Sequence, residues 1–576
     1  MKTNLLLIIL IFSTIIVNSQ TPIPGGNVYG TWTISGSPYL VQGSIMIPTD
    51  SVLTIEPGVT VNFQGHYKLL VLGQLLAIGT ITNNIFFNAI NTTTGWYGIR
   101  FDNTPSTNDT SKLFYCNIQW GIANGTGNDS YGGALFFNNV SKVIVKYCLI
   151  KNNSAIIGGG GIYCKNSSPI ISNNTISNNS ANYNAYYDGG GAIECSFGSN
   201  PMISNNIISN NSSNGYGGGI HCINCNPMIF NNTITNNTAN KIGGGIYCYY
   251  CNSTISNNII SYNFANNGFN GYDGGGAIEC DYSSPIISDN TISNNYGING
   301  GGIFCLRSYS VILNNTISNN SAINGSGIYC NNSNDTLTNN TIVNNSTGGN
   351  GGALYCSDAS NTTIRNCILY GNNATLNGSQ VYLEDEQSDP NFYYCNIAGG
   401  ILVFGLNGNF YTGIYQNNID TNPLFVAPSS GSGVNFNGVI ADWSLLNTSP
   451  CINAGNPNGT YPATDKAGNP RVVGSYIDIG AYEYQGITSV INYNLQNQII
   501  VYPNPFNNSA TIQYKNKSNY SELNIYDMYG QKIKTINDIS GDHIKIEREN
   551  LSSGIYFYEL KQDSKEISTG KLIITD

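Results

Sequence analysis

Eight near-copies of one short string, Gly-Gly-x-Ile-x-Cys, place a cysteine at 164, 195, 222, 248, 280, 305, 330 and 356. The steps between them are 31, 27, 26, 32, 25, 25 and 26 residues. A second marker, Asn-Asn-Thr-Ile or a close variant, keeps pace from 173, 205, 231, 257, 289, 314 and 339. A period of this size belongs to units that cannot bury their apolar side alone and must stack on their neighbours. Such a stack has no upper size limit, so the 576 residues do not by themselves require several compact cores.

Within each unit the runs Ile-x-Cys and Pro-Ile-Ile are short, β-branched and bounded by Gly, Asn and Ser, with no stretch of helical period. Three short strands and three turns fill one unit. Units that repeat in the same direction stack in parallel, about 4.8 Å apart. Alternation puts Ile162 and Cys164 inside and Tyr163 outside. The paired Asn suit tight corners, because Asn tolerates left-handed backbone and its amide can bond to the amide of the next coil. Gly triplets supply another corner. The expected fold is all-β: a right-handed parallel β-helix, a solenoid of about a dozen coils, followed by a small C-terminal β-sandwich.

Composition separates the two parts. Charged residues are 9% of the chain against roughly 25% in ordinary globular proteins. Residues 487–576 nevertheless hold 19 of the 54, as 9 Lys/Arg and 10 Asp/Glu. The net charge of −10 offers no basic surface for nucleic acid. At the other end Lys2, a mostly apolar run from Leu5 to Val17 and the small residues before Gln20 read as a signal peptide over 1–19, too short for a transmembrane helix. The organisation expected is then a signal peptide at 1–19, N-terminal capping coils at 20–131, regular repeats at 132–420, a closing segment at 421–486 and a C-terminal domain at 487–576.

Over roughly residues 28–420 the repeats resemble the right-handed parallel β-helix repeat (PbH1) proteins. Gly30-Thr31-Trp32, the run Leu53 to Val61 and Gly95-Trp96-Tyr97-Gly98-Ile99 look like the first coils of secreted bacterial members. Asn422-Pro423-Leu424-Phe425, Ser449 to Gly455 and Asp478 to Glu483 resemble the segment that closes many such helices. The tail resembles the type A C-terminal sorting domain of the type IX secretion system of Bacteroidota, on four motifs in order: Val501 to Phe506, Ile525 to Gln531, Leu551 to Tyr556, and Lys571 to Ile574. That resemblance implies the type IX machinery as a partner, removal of the tail, and a product that is released or held on the outer-membrane surface.

The half-spacings locate the variable side. From each Cys to the next Asn-Asn is nine or ten residues, whereas from Asn-Asn to the next Cys it is 22, 17, 17, 23, 16, 16 and 17. Length variation therefore falls in the loop feeding the Cys strand, and insertions on one face often mark a solenoid's binding face. The two long loops carry Tyr183, Tyr186, Tyr187 and Asp188, and Phe264, Phe269, Tyr272 and Asp273. Beside them runs an outward ladder of Phe136, Tyr163, Glu194, His221, Tyr247, Glu279, Phe304, Tyr329 and Tyr355. Rings interrupted by carboxylates suit a sugar chain, and Tyr163, Glu194, His221, Tyr247, Glu279, Tyr187 and Tyr272 are the ligand-binding candidates. The plainer reading of the same ladder is rings stacked on one another down a sheet.

Catalytic candidates are few. Glu194 and Glu279 lie three coils apart, about 14 Å, too far for a hydrolytic pair at roughly 5 to 9.5 Å. Glu279 and Asp281, on one strand face about 6.6 Å apart, have the spacing of an inverting pair. His221 is the only His of the repeats. Asp273, Glu279 and Asp281 are also weak candidates for Ca²⁺, the one cofactor considered. Cys222-x-x-Cys225 and Cys248-x-x-Cys251 form a double CxxC, but their 26-residue offset is the coil repeat rather than a zinc pattern. Cys225 and Cys251, near a turn, are the pair best placed for a disulfide.

Three functions remain open on these residues. The leading one is a non-enzymatic secreted or surface protein that binds polysaccharide or surface glycan, or adheres, through the Tyr/Phe/Glu ladder. The others are a polysaccharide lyase or glycoside hydrolase on the same face, and a structural stalk.

Overall fold

In the computed structural model, residues 20–182, 189–266, 274–456 and 461–486 of the repeat region are described, with most of 500–575 beyond it. The expected signal peptide at 1–19 lies outside the described residues. The chain divides between Gln485 and Gly486 into two units.

The first unit winds through three long parallel sheets of 15, 14 and 15 strands, so it has more levels than the dozen expected. One coil shows the pattern. Ile220–Ile223 lies in the 14-stranded sheet, Met228–Phe230 in the second and Thr233–Thr235 in the third, and the two-residue strand Thr238–Ala239 adds a short fourth ladder. Register is kept coil to coil, with Cys164 opposite Cys195, then Cys222, Cys248, Cys280, Cys305, Cys330 and Cys356. These sulfurs and the Ile at alternate positions form one continuous core along the helix axis. All fifteen cysteines are buried thiols. Cys225 and Cys251, the expected disulfide pair, hold their sulfurs 4.0 Å apart, in contact but well beyond the roughly 2.05 Å of a bond.

Each corner turns on a single left-handed residue, such as Asn224 (φ 51°), Asn231 (φ 56°) and Asn236 (φ 54°). Asn reaches this region at low cost because its short polar side chain bonds locally. The second Asn of each pair turns inward. Asn232 donates its backbone N–H to Asn258 Oδ1 at 2.9 Å and its side-chain N–H to the same oxygen at 3.0 Å and to Ile203 O at 2.9 Å. Its own Oδ1 accepts from the backbone and amide of Asn206 at 2.9 and 3.0 Å. The same bonds link the column from Asn174 to Asn340, and a parallel column runs from Asn153 to Asn372. Buried amides are tolerated here because every donor and acceptor is matched.

The helix is closed differently from what the motifs suggest. At the C-terminal end Phe404, Tyr411 and Tyr415 pack over Phe392. The described residues of the expected closing segment, 421–456 and 461–485, instead run back along one flank as a strap. Corner asparagines hold it: Asn294 Nδ2 donates to Phe436 O at 2.6 Å, Asn319 Nδ2 to Gly431 O at 2.8 Å and Asn344 Nδ2 to Ser429 Oγ at 2.9 Å. Buried Arg471 donates to Asn314 Oδ1 at 2.9 Å, and Trp443, Leu445, Cys451 and Ile479 pack on Val343 and Ile368. The strap therefore covers a side of the last coils that earlier coils leave open, where Ile207 and Ile259 are exposed.

In the second unit a three-stranded antiparallel sheet and a four-stranded antiparallel sheet enclose a core including Phe506, Ile512, Leu523, Ile525, Ile546, Leu560 and Leu572.

Asn232→Ala would strip the partners from buried N–H groups on Asn206 and is expected to destabilise the helix by about 3 kcal/mol. Chemical denaturation followed by circular dichroism checks it, and a loss under about 0.5 kcal/mol would contradict the ladder's role.

Candidate functional site

The ladder that alternation aims outward does point away from the helix core, but it is not a surface. Tyr163, Glu194, His221, Tyr247 and Glu279 are each 3% exposed or less, and Asp281 is also buried. The cause lies in the glycines ahead of the Cys strand. Gly190 (φ +68°) and Gly217 (φ +58°) fold the chain back over its own next residues, and a Cβ at either would stand 2.8 Å from the Cβ of Glu194 or His221. Only glycine allows both that backbone and that approach. The Gly triplet is thus a roof over the ladder as well as a corner.

Under this roof the rings stack along the sheet. Phe136 and Tyr163 have centroids 5.7 Å apart, His221 and Tyr247 5.3 Å, Tyr329 and Tyr355 4.3 Å. Tyr131 and Tyr216 add a second layer, 4.4 Å from Tyr163 and 5.2 Å from Tyr247. Cross-strand stacking therefore accounts for the ladder's aromatics.

The polar members are built into the same packing. Glu279 Oε2 accepts the backbone N–H of Gly275 at 2.7 Å, and Asp281 Oδ2 accepts the Tyr247 hydroxyl at 2.9 Å. Burial, and then the charges of Asp281 and Glu279, raise the Tyr247 hydroxyl well above its usual range. Burial alone pushes His221 down to about 3, so its ring is neutral. Neither ring nitrogen has a hydrogen-bond partner among the described residues. The carboxylates of Glu279 and Asp281 are thus both turned to bonds inside the protein. Tyr187, Tyr272 and Asp273, with Tyr183, Tyr186, Asp188 and Phe269, lie outside the described residues. Among the described residues no group of three or more His, Cys, Asp or Glu gathers as metal ligands.

Exposed aromatics do occur at the corner two residues beyond the ladder Cys, at three of its eight levels. This corner is Asn at 166, 224 and 332, Arg at 307 and Asp at 358, all near φ +50°, and Phe197, Tyr250 and Tyr282 take the same left-handed backbone at 51°, 52° and 49°. A bulky residue there costs roughly 1–2 kcal/mol that Asn avoids. Phe197 and Tyr250 are half exposed, and Tyr309 nearby is 65% exposed. The Tyr250 and Tyr282 rings are 5.1 Å apart, and Tyr249 meets Tyr250 edge-on at 4.5 Å. Cations sit on the rings, Arg307 5.3 Å over Tyr282 and Lys165 5.4 Å over Phe197. The departure from Asn at the position two after Cys is visible in the repeat, but only once that position is known to be an exposed corner.

Two family models match the chain. Residues 107–299 and 213–369 match one described as a right handed beta helix region, and residues 500–575 match a secretion system C-terminal sorting domain. No curated protein and no solved structure matches it. Among the described residues no helix is long and apolar enough to cross a membrane.

His221→Phe, which copies Phe136 and Phe304 of the same ladder, tests its neutral burial. The ring titrates near 6.5 when unfolded and near 3 when folded, so its stabilising contribution is intact above pH 6.5 and falls as pH drops through that window. Wild type is expected to lose about 1.4 kcal/mol per pH unit relative to the variant between pH 6 and 4. Paired denaturant titrations check this, and parallel curves would refute it.

Proposed function

Because the chain is a right-handed β-helix protein carrying a type IX secretion C-terminal sorting domain, exported to the cell surface or the extracellular space, we propose that it binds glycan through the aromatic corner of Phe197, Tyr250, Tyr282 and Tyr309. The observation that carries this reading is the replacement of Asn by bulky rings at a left-handed corner. The repeat has a cheaper residue for that backbone and uses it at 166, 224 and 332. Strained backbone that the fold does not need points to a use of the side chain. Exposed rings contact the C–H faces of sugars, and Tyr250 and Tyr282 sit on successive coils with Phe197 two coils before Tyr250, so a chain laid along the helix meets several rings. Arg307 and Lys165 beside those rings favour a glycan with carboxylate or sulfate groups. On this reading binding belongs to the neighbouring corner and not to the roofed ladder.

A glycan array on the mature protein, followed by calorimetry, tests the proposal. Tyr250→Asn with Tyr282→Asn restores the repeat's own corner residue, so the variant is expected to fold normally and to lose about tenfold in affinity per ring removed. Unchanged affinity in that variant, or no array signal for wild type, would overturn the reading. Release of unsaturated or reducing sugars from a bound glycan would show an enzyme instead.

A further inference from the structure

The strap does not seal against the helix along its whole length. Between them lies a cleft of about 520 Å³, within the range of small-ligand pockets. Its wall includes Trp443, Phe425, Leu424, Leu446, Tyr370 and Ser429. The Phe425 ring stands edge-on to Trp443 at 5.3 Å. Two observations set this cleft apart from imperfect packing. The Trp443 side chain is 2% exposed, yet its Nε1–H has no acceptor among the described residues. A buried donor left unbonded costs about 1–3 kcal/mol, and native proteins rarely leave one without a reason. Secondly, the corner column that reads Asn at 178, 210 and 236, Tyr at 262 and Asn at 294, 319 and 344 reaches Gly371, φ +67°, at the cleft wall. The column thus loses its side chain at the level where the cleft opens.

The lining carries no carboxylate, ammonium, guanidinium or imidazole. A charged ligand would be desolvated there without a counter-charge, which excludes acidic and basic ligands. Three aromatic rings, hydroxyls, side-chain amides and one unbonded donor suit an uncharged molecule with an apolar face and several oxygens. We propose that the cleft binds a single neutral saccharide unit, its ring against Phe425 and Tyr370 and one of its oxygens accepting the Trp443 Nε1–H. The donor is recessed, so binding includes a small yielding of the cleft wall, and the indole emission reports it. This site is independent of the aromatic corner, differing in location and in preferring uncharged over acidic sugars.

The test uses the full chain, with glucose, N-acetylglucosamine and cellobiose as probes and glucuronate as the charged control, followed by calorimetry and tryptophan emission up to about 10 mM. Expected is a saturable signal with at least one neutral probe, weakened at least about tenfold in Trp443→Phe, which keeps the ring and removes the donor. Leu446→Trp, at a position 41% exposed, fills the cleft from its solvent side and is expected to abolish binding. The Tyr250→Asn/Tyr282→Asn variant is expected to bind these probes like wild type. No saturable signal with any neutral probe, equal affinity for glucuronate, or full affinity in Leu446→Trp would each overturn the proposal.

Discussion

The inward asparagine ladder is the interaction on which the rest of the helix depends. A parallel coil has to bend sharply several times within about 26 residues, and each bend interrupts the strand hydrogen bonding that holds neighbouring coils. The left-handed residue makes the bend, and the buried Asn beside it restores the lost bonds. Asn232 links Asn206 on one side to Asn258 on the other through one amide. Because the amide oxygen accepts from the preceding coil alone while the backbone N–H and the amide nitrogen reach the oxygen of the following one, the ladder has a direction, and a coil slipped by one residue would leave buried donors and acceptors unmatched. Register is fixed by polar groups in the core as much as by the Ile and Cys columns.

With register fixed at the corners, variation is free to gather elsewhere, and it gathers in the loop before the Cys strand. That loop re-enters through glycines packed against Glu194 and His221. The result is a second buried layer on what would otherwise be the open face of the 14-stranded sheet. Residues exposed by simple alternation become internal, and ionisable groups among them are held neutral or bonded. Chemistry at the surface passes to the next corner, where Arg307 and the rings of Tyr250 and Tyr282 meet solvent.

Much of this was legible in the sequence. The Cys and Asn-Asn spacings specify stacked parallel coils, the alternation in Gly-Ile-Tyr-Cys correctly sends Cys164 inward, and Asn-Asn marks the corners. The motifs of the tail identify the sorting domain. The burial of the ladder was not legible, because period-two alternation tells which way Tyr163 points and not what covers it. That depends on the Gly triplet folding over the strand, a tertiary event whose local signal reads equally as a turn. The strap shows the same limit. Its motifs announce a terminal segment, yet its partners include corner asparagines as much as 157 residues earlier, such as Asn314 to Arg471 and Asn294 to Gly438. The capping aromatics Phe404, Tyr411 and Tyr415 lie in a stretch without repeat markers, where periodicity has nothing to measure.

The strap also divides the helix into two folding regimes. Coil-to-coil contacts close loops of 25 to 32 residues, as Asn295 to Asn320 and Asn206 to Asn174 do. Such contacts can form one after another as the chain emerges. Strap contacts reach as far as Lys466 to Asp289, a separation of 177. The entropy of closing loops that long is recovered only once both ends are in place, so these contacts form late. Coils ahead of Asp289 can complete themselves by local zippering, whereas those beneath the strap finish only when residues up to Glu483 have been synthesised. The C-terminal end of the repeat region therefore matures last, next in sequence to the segment that directs export.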